Sequence, residues 1–242
     1  MTHKFNNNKE KIVLISGGTS GIGLALAEGF AKANYQVMAI GLGELPADNE
    51  CISFKQVDVR DMQQIKEIIS QLPTIDLLVN AAGILKRGAE LEPDIFAQVI
   101  DVNLNGTMRC CNAAREKLAL ARGSIINIAS MLSYFGGGLV PAYSASKGGV
   151  VQLTKSLAIA YAAEHIRVNA IAPGWIETPL TSGLRADPER NIDILKRTPM
   201  QRWGKTNELV GPALFLASDA ASFITGSTPV SYTHLRAHET RG

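Results

Sequence analysis

The sequence predicts an α/β fold, a single-domain, doubly wound parallel sheet flanked by helices. Three observations predict it. Short apolar runs take turns with stretches of helical periodicity between residues 11 and 173. Several of those runs are apolar throughout rather than alternating, as strands covered on both faces are. A chain of 242 residues also suffices for one substantial core.

"KIVLIS" (11–16) is the first run and stops at a cluster of glycines. Behind it Ile22, Leu26 and Phe30 recur every fourth residue, one face of a helix. "QVMAIGL" (36–42) and "ISFKQVDV" (52–59) read as the second and third strands. In "MQQIKEIISQL" (62–72), Ile65, Ile68, Ile69 and Leu72 keep helical spacing until Pro73 ends it. "IDLLVN" (75–80) is the fourth strand, and "PDIFAQVIDVNL" opens a long helix with Pro93 in its first turn. "GSIINIAS" (123–130) is the fifth strand, followed by a glycine-rich loop and a helix from about Tyr143. "RVNAIAP" (167–173) is the sixth. No internal repeat, low-complexity linker or domain boundary interrupts the series.

Ligands of such sheets sit beyond the carboxyl ends of the strands. Those ends carry, in order, the glycine cluster, Asp58, "NAAG" (80–83), Ser130 and "PG" (173–174). Gly17, Gly21 and Gly23 are spaced Gly-x-x-x-Gly-x-Gly, a variant of the dinucleotide fingerprint Gly-x-Gly-x-x-Gly. Glycines there let the backbone come close to a pyrophosphate, and a helix N-terminus offers it free N–H groups and positive dipole. A phosphate-binding P-loop is excluded, because Leu24 and Ala25 follow Gly23 in place of Lys and Ser or Thr. Alone, the cluster is also compatible with a bare tight turn.

Composition narrows the function classes. A formal net charge of +2 does not suit a nucleic-acid binder that relies on phosphate contacts. Three cysteines, with no Cys-x-x-Cys, give neither a disulfide framework nor a zinc site, and they read as small buried hydrophobes of a reducing compartment. The polar start "MTHKFNNNKE" lacks the apolar core of a signal peptide, and no run of about 18 apolar residues offers a membrane span. A cytoplasmic protein is expected, without membrane or nucleic-acid partners.

"SGGTSGIG", "NAAG", Ser130, "YSASK" (143–147) and "PGWIETP" (173–179), in this order and spacing, resemble the short-chain dehydrogenase/reductase family over about residues 10 to 228. The resemblance implies a Rossmann-type fold, a nicotinamide cofactor, a small-molecule substrate and a homo-oligomer, a tetramer or dimer built partly on the helices after strands four and five. It implies that Tyr143 is the general acid/base, that Lys147 lowers its pKa and holds the nicotinamide ribose, and that Ser130 hydrogen-bonds the reacting oxygen. On a helix, the four-residue step from Tyr143 to Lys147 puts both on one face, where an ammonium favours phenolate. Ser133 competes with Ser130 and reads as an ordinary loop hydroxyl. Asn103 in "VNLNG" matches the asparagine of a proton relay through water, with Asn105 close behind it; either also suits a helix cap or kink. By the same resemblance Gly17, Ser20, Gly21, Ile22 and Gly23 hold the pyrophosphate, Asp58 and the Val59 backbone meet the adenine, Asn80, Ala81 and Gly83 line the ribose side, and Pro173, Gly174, Ile176 and Thr178 meet the nicotinamide amide. Helix capping is the alternative for Asp58.

Two departures from the family pattern matter. The end of the second strand, where an acidic residue selects NAD and a basic one NADP, is about Gly41 here. No Lys or Arg lies in the glycine loop or in residues 36–54, and Glu44 stands near, so NAD is favoured over NADP. After "FITGST" the chain runs "PVSYTHLRAHETRG", polar and unlike the family's terminal strand, so the domain is expected over 1–228, with 229–242 a disordered, adapter-like tail. His234 and His238 in that tail lack a third ligand, and no metal site is expected. Residues 175–206 fall where the family has its substrate lid, with Arg185, Arg190, Lys196, Arg197, Arg202 and Lys205 against Glu177, Asp187, Glu189 and Asp193. "IASMLSYFGGG" and "LKRTPMQRWGK" are most similar to the gluconate and deoxygluconate dehydrogenase branch, which implies oxidation of a secondary alcohol of a sugar acid, or of a polyol. The alternatives are a 3-oxoacyl-thioester reductase and a non-enzymatic cofactor-binding regulator or assembly-defective chain.

Overall fold

The structure is a computed structural model and describes residues 10–230. Six parallel strands, β1 (Ile12–Ser16), β2 (Gln36–Gly41), β3 (Ile52–Gln56), β4 (Leu77–Asn80), β5 (Ser124–Ile128) and β6 (Arg167–Ile171), form one sheet in the order β3-β2-β1-β4-β5-β6. Register runs Val13 beside Val37 on one side of β1 and Val13 beside Leu77 on the other. Each strand is one to three residues shorter than its apolar run. β3 ends at Gln56, although Val57 and Val59 beyond it are still buried, because hydrophobic burial continues where strand pairing has stopped.

The period of two along each strand divides the core into two faces. Ile12 and Leu14 of β1 pack under α2 (Met62–Ser70), α4 (Gly106–Ala121) and α5 (Pro141–Ala160), with Ile65, Ile68, Leu118 and Leu157. Val13 and Ile15 point the other way, onto α1 (Gly21–Lys32) and α8 (Val210–Ala217), with Leu26, Phe30 and Leu216. The cap of α2 is Asp61, which accepts from the Gln63 and Gln64 backbone N–H groups. Pro93 opens α3 (Pro93–Ile100) and Pro141 opens α5, each at a position where a missing N–H leaves no bond unmade.

The helix expected from Pro93 is not regular. Between α3 and α4 a wide π-helical turn (Asp101–Asn105) inserts, and it buries Asn103 completely. Such turns recur at functional sites. After β6 come α6 (Ser182–Ala186) and α7 (Pro188–Arg197), where only Ile194 is buried; most of the charges noted there are solvated. Pro229 and Val230 lie beside the end of β6, with the Ala172 N–H donating to the Pro229 carbonyl at 3.0 Å. Residues 231–242, with His234 and His238, lie outside the described residues. No described helix is long and apolar enough to cross a membrane.

Candidate active site

The sheet order reverses at β1, so the crevice beyond β1 and β4 is where the topology places a ligand. Gly17 sits there with φ +70°, and a Cβ on it would lie 2.4 Å from the Ala82 backbone nitrogen. A Cβ on Gly23 would lie 2.1 Å from the Gly17 carbonyl oxygen. The turn therefore folds tightly under the N-terminus of α1 and against the loop after β4. Ser20 makes no side-chain hydrogen bond to the helix, and the first turn holds no acidic residue, which suits an anion. Gly17, Ser20, Gly21, Ile22, Gly23, Ala81 and Gly83, all expected at the cofactor, line one cleft of about 290 Å³ with Tyr143, Lys147 and Thr178. Ala82, Pro179 and Leu180 line it too; nothing in their side-chain chemistry marks them in the sequence.

A second cavity, about 340 Å³, opens on the other side of Tyr143. Ser130, Pro173 and Gly174 line it, with Leu85 and Arg87 from the loop after β4 and Trp175, Leu184, Asp187 and Arg190 from the segment after β6. Tyr143 and Leu180 border both spaces. A wall shared by the glycine-lined cleft and a second cavity of similar size is the place for chemistry between two molecules.

Lys147 is buried, and its Nζ donates to the Ile128 carbonyl at 2.7 Å while lying 5.7 Å from the centre of the Tyr143 ring. Burial brings its pKa down to about 8. The Tyr143 phenol departs from the expectation that Lys147 lowers it. Burial pushes it up, the Glu90 carboxylate adds to the rise, and a hydrogen bond with the Ser130 hydroxyl opposes it. Desolvation thus outweighs the Ser130 hydrogen bond here.

Ser130 and Ser133 separate cleanly. The Ser130 hydroxyl accepts the Leu132 N–H at 3.1 Å and faces the cavity, whereas Ser133 donates to the Lys147 carbonyl at 2.8 Å and lines neither space. Asn103 holds both Ile84 backbone groups, accepting at 2.8 Å and donating at 3.0 Å, and donates to Ser146 at 3.1 Å. A Cβ on Gly83 would come within 3.4 Å of Asn103 and 3.6 Å of the Lys147 nitrogen, so these three converge. Asn105 instead donates to Asp101 at the surface.

Four expected cofactor residues stand outside the lining of both spaces. Asn80 is buried away from the cleft and bridges Ser16 to Asn127 across the sheet, because a mid-sheet amide must find partners inside it. Ile176 is buried against Gly204 rather than in either space. Asp58 neither caps α2 nor lines the cleft. Its carboxylate takes a bidentate bond from Arg60, the closer contact 2.6 Å, which holds it below the usual carboxylate range. Val59 is buried at the start of α4, where a Cβ on Gly106 would meet it at 2.7 Å.

A family model described as enoyl-(acyl carrier protein) reductase matches residues 17–231. The chain belongs to the short-chain dehydrogenase/reductase family. A 2-dehydro-3-deoxy-D-gluconate 5-dehydrogenase of Pseudoalteromonas atlantica is 41% identical over 90% of this chain and 92% of its own. A putative NAD(P)-dependent gluconate 5-dehydrogenase of Beutenbergia cavernae, solved with bound NADP, is 36% identical with a TM-score of 0.83, over 91% of this chain and 94% of that one. A 4-hydroxyisoleucine dehydrogenase complexed with NADH is 32% identical with a TM-score of 0.85, over 91% and 96%. As a family member this short-chain dehydrogenase is an oxidoreductase that acts on CH–OH groups with a nicotinamide cofactor. Among the described residues no group of His, Cys, Asp or Glu is placed to hold a metal ion.

Proposed function

We propose that this short-chain dehydrogenase oxidises a secondary alcohol of a sugar acid to a ketone, or runs the reverse reduction, with Tyr143 as acid/base. One observation carries the reading: Tyr143 stands in the wall between the glycine-lined cleft and a cavity that Arg87 and Arg190 help to line. The glycine turn, Ala81, Gly83, Lys147 and Thr178 would hold the dinucleotide. Bound there, its nicotinamide supplies the hydride acceptor for oxidation or the donor for reduction.

In oxidation Tyr143 takes the hydroxyl proton as the C–H electron pair departs, and the product is the ketone. Its raised pKa makes the proton transfer more favourable in alkaline solution. Ser130 accepts from Leu132 and is hydrogen-bonded to the Tyr143 phenol, so its O–H can turn from the phenol to the reacting oxygen when a substrate is bound. Lys147 spends one N–H on Ile128 and keeps two for ribose hydroxyls. Asn103 shapes the floor between them. Arg87 is exposed and engaged in no ion pair among the described residues, whereas Arg190 already meets Asp187 at 3.2 Å. Arg87 is therefore the better partner for a substrate carboxylate.

NAD is favoured over NADP. Gly41 closes β2 under Thr19, Leu42–Glu50 supply no cation, and Arg60 is committed to Asp58. Residues 175–206 act as the lid of a catalytic domain that works as a homo-oligomer of the cytoplasm. Initial rates with NAD and NADP across sugar acids, neutral polyols and a short 3-oxoacyl thioester test the reading. Turnover of a sugar acid with NAD, and its loss by at least about a thousandfold in Tyr143→Phe with dinucleotide binding kept, is expected. Turnover of the thioester ketone with NADPH alone would replace it.

A further inference from the structure

Glu90 has no part in the chemistry above, yet it is fully buried, and no cation pairs with it among the described residues. Its two carboxylate oxygens do different work. One accepts the Lys86 N–H at 2.8 Å, inside its own loop. The other accepts the Tyr143 N–H at 2.8 Å, in the first turn of α5 and 53 residues away. Val140, at the start of that helix, gives it no side-chain cap, so Glu90 caps it from outside. A second bond, from the Gly88 N–H to the Leu139 carbonyl at 2.7 Å, runs between the same two segments.

We infer that Glu90 is a positioning residue of this enzyme: it fastens the backbone of Tyr143 to the loop that presents Leu85 and Arg87 to the substrate cavity. The loop is held at both ends by buried side chains, at Ile84 by Asn103 and at Lys86 by Glu90. Leu85 and Arg87 each directly follow one of these two fixed points. The proton-transferring residue and the substrate-facing wall thus share one support, and the inference rests on the functional reading proposed above. An ordinary helix cap needs one acceptor; two acceptors diverging to two elements require a carboxylate.

The charge adds a second effect. The groups facing Tyr143 are Lys147 on its own helix, Ser130 after β5, Glu90, and, across the cavity, Arg87, Asp187 and Arg190. Of these, Glu90 opposes ionisation of the phenol.

Two variants of the full chain separate position from charge. Glu90→Gln keeps the shape but has one accepting oxygen and no charge. Glu90→Asp keeps the charge but is too short to span both donors. With a sugar acid both are expected to lower kcat/KM at least tenfold, and by less with a neutral polyol, because only the carboxylate needs Arg87 in place. The acid limb of the oxidation profile should move to lower pH in Glu90→Gln and stay in Glu90→Asp. Affinity for reduced dinucleotide, read by fluorescence, should hold in both, since Glu90 lies outside the cleft. Wild-type kcat/KM on both substrates with an unmoved profile would overturn the inference, as would equal losses on both substrates in step with dinucleotide affinity. Were the wild type to turn over no secondary alcohol, the functional reading would fail, and ultraviolet titration of the phenolate would still judge Glu90. The signal lost in Tyr143→Phe should ionise at lower pH in Glu90→Gln, and an unchanged midpoint would overturn the inference.

Discussion

Lys147 keeps an ammonium where burial resists it, and the sign of that resistance can be worked out. Its pKa of about 8 in the folded protein lies below the ordinary 10.5. Below pH 8 folded and unfolded chains both hold the proton, and the penalty is fully present. Between pH 8 and 10.5 only the unfolded chain holds it, so stability from this group rises with pH. The whole span is worth about 3 kcal/mol. Lys147→Met removes the penalty but leaves the Ile128 carbonyl without its donor, which takes back about 1–2 kcal/mol. The variant is expected to be inactive yet more stable by about 1–2 kcal/mol at pH 7, with the gain vanishing near pH 10. Calorimetry at the two pH values checks this, and a less stable variant at neutral pH would show that the Ile128 bond dominates. The spacing of Tyr143 and Lys147 was legible in the sequence, but the rise of the phenol was not. It depends on how deeply the folded chain encloses the hydroxyl, and local spacing says nothing of that.

In α1 two effects compete at Gly23. Helix propensity favours alanine over glycine by about 1 kcal/mol. Sterics oppose it, since a Cβ there would lie 2.1 Å from a backbone oxygen of the turn that cannot swing aside. Gly23→Ala is therefore expected to lose several degrees of Tm and most dinucleotide affinity. Gly211→Ala, in α8 with nothing within 4 Å of its added Cβ, should gain about 0.5–1 kcal/mol. Paired thermal melts decide, and a gain in both would mean that the turn yields. The glycine spacing announced this turn because close approach admits few other residues. The wide turn at Asp101–Asn105 was announced only as a cap or kink that Asn103 or Asn105 would suit. The extra residue itself shows only once Asn103 has Ile84 and Ser146 to bind.

Across the whole molecule, what the sequence shows is what repeats: six apolar runs, the helical faces between them, and the motifs at the strand ends. What it hides is pairing between distant loops, such as Glu90 with Tyr143 or Asn80 with Asn127, because a polar residue carries no mark of its partner. Assembly is the next scale of pairing. Single exposed apolar residues are normal on a monomer. Here Met108 and Leu120 on α4 and Ile159, 80% exposed, on α5 fall on the two helices proposed to meet other copies. On α5, Gln152, Ser156 and Ile159 follow helical spacing along one exposed stripe, uncharged and suited to close packing. If that stripe meets its counterpart in a second copy, an aspartate at its apolar end places like charges together in a desolvated contact. Ile159→Asp is then expected to shift the mass measured by light scattering from that of a dimer or tetramer to a smaller species, with the monomer's fold intact by circular dichroism. A wild-type protein that is already monomeric, or a variant of unchanged mass, would remove α5 from the interface.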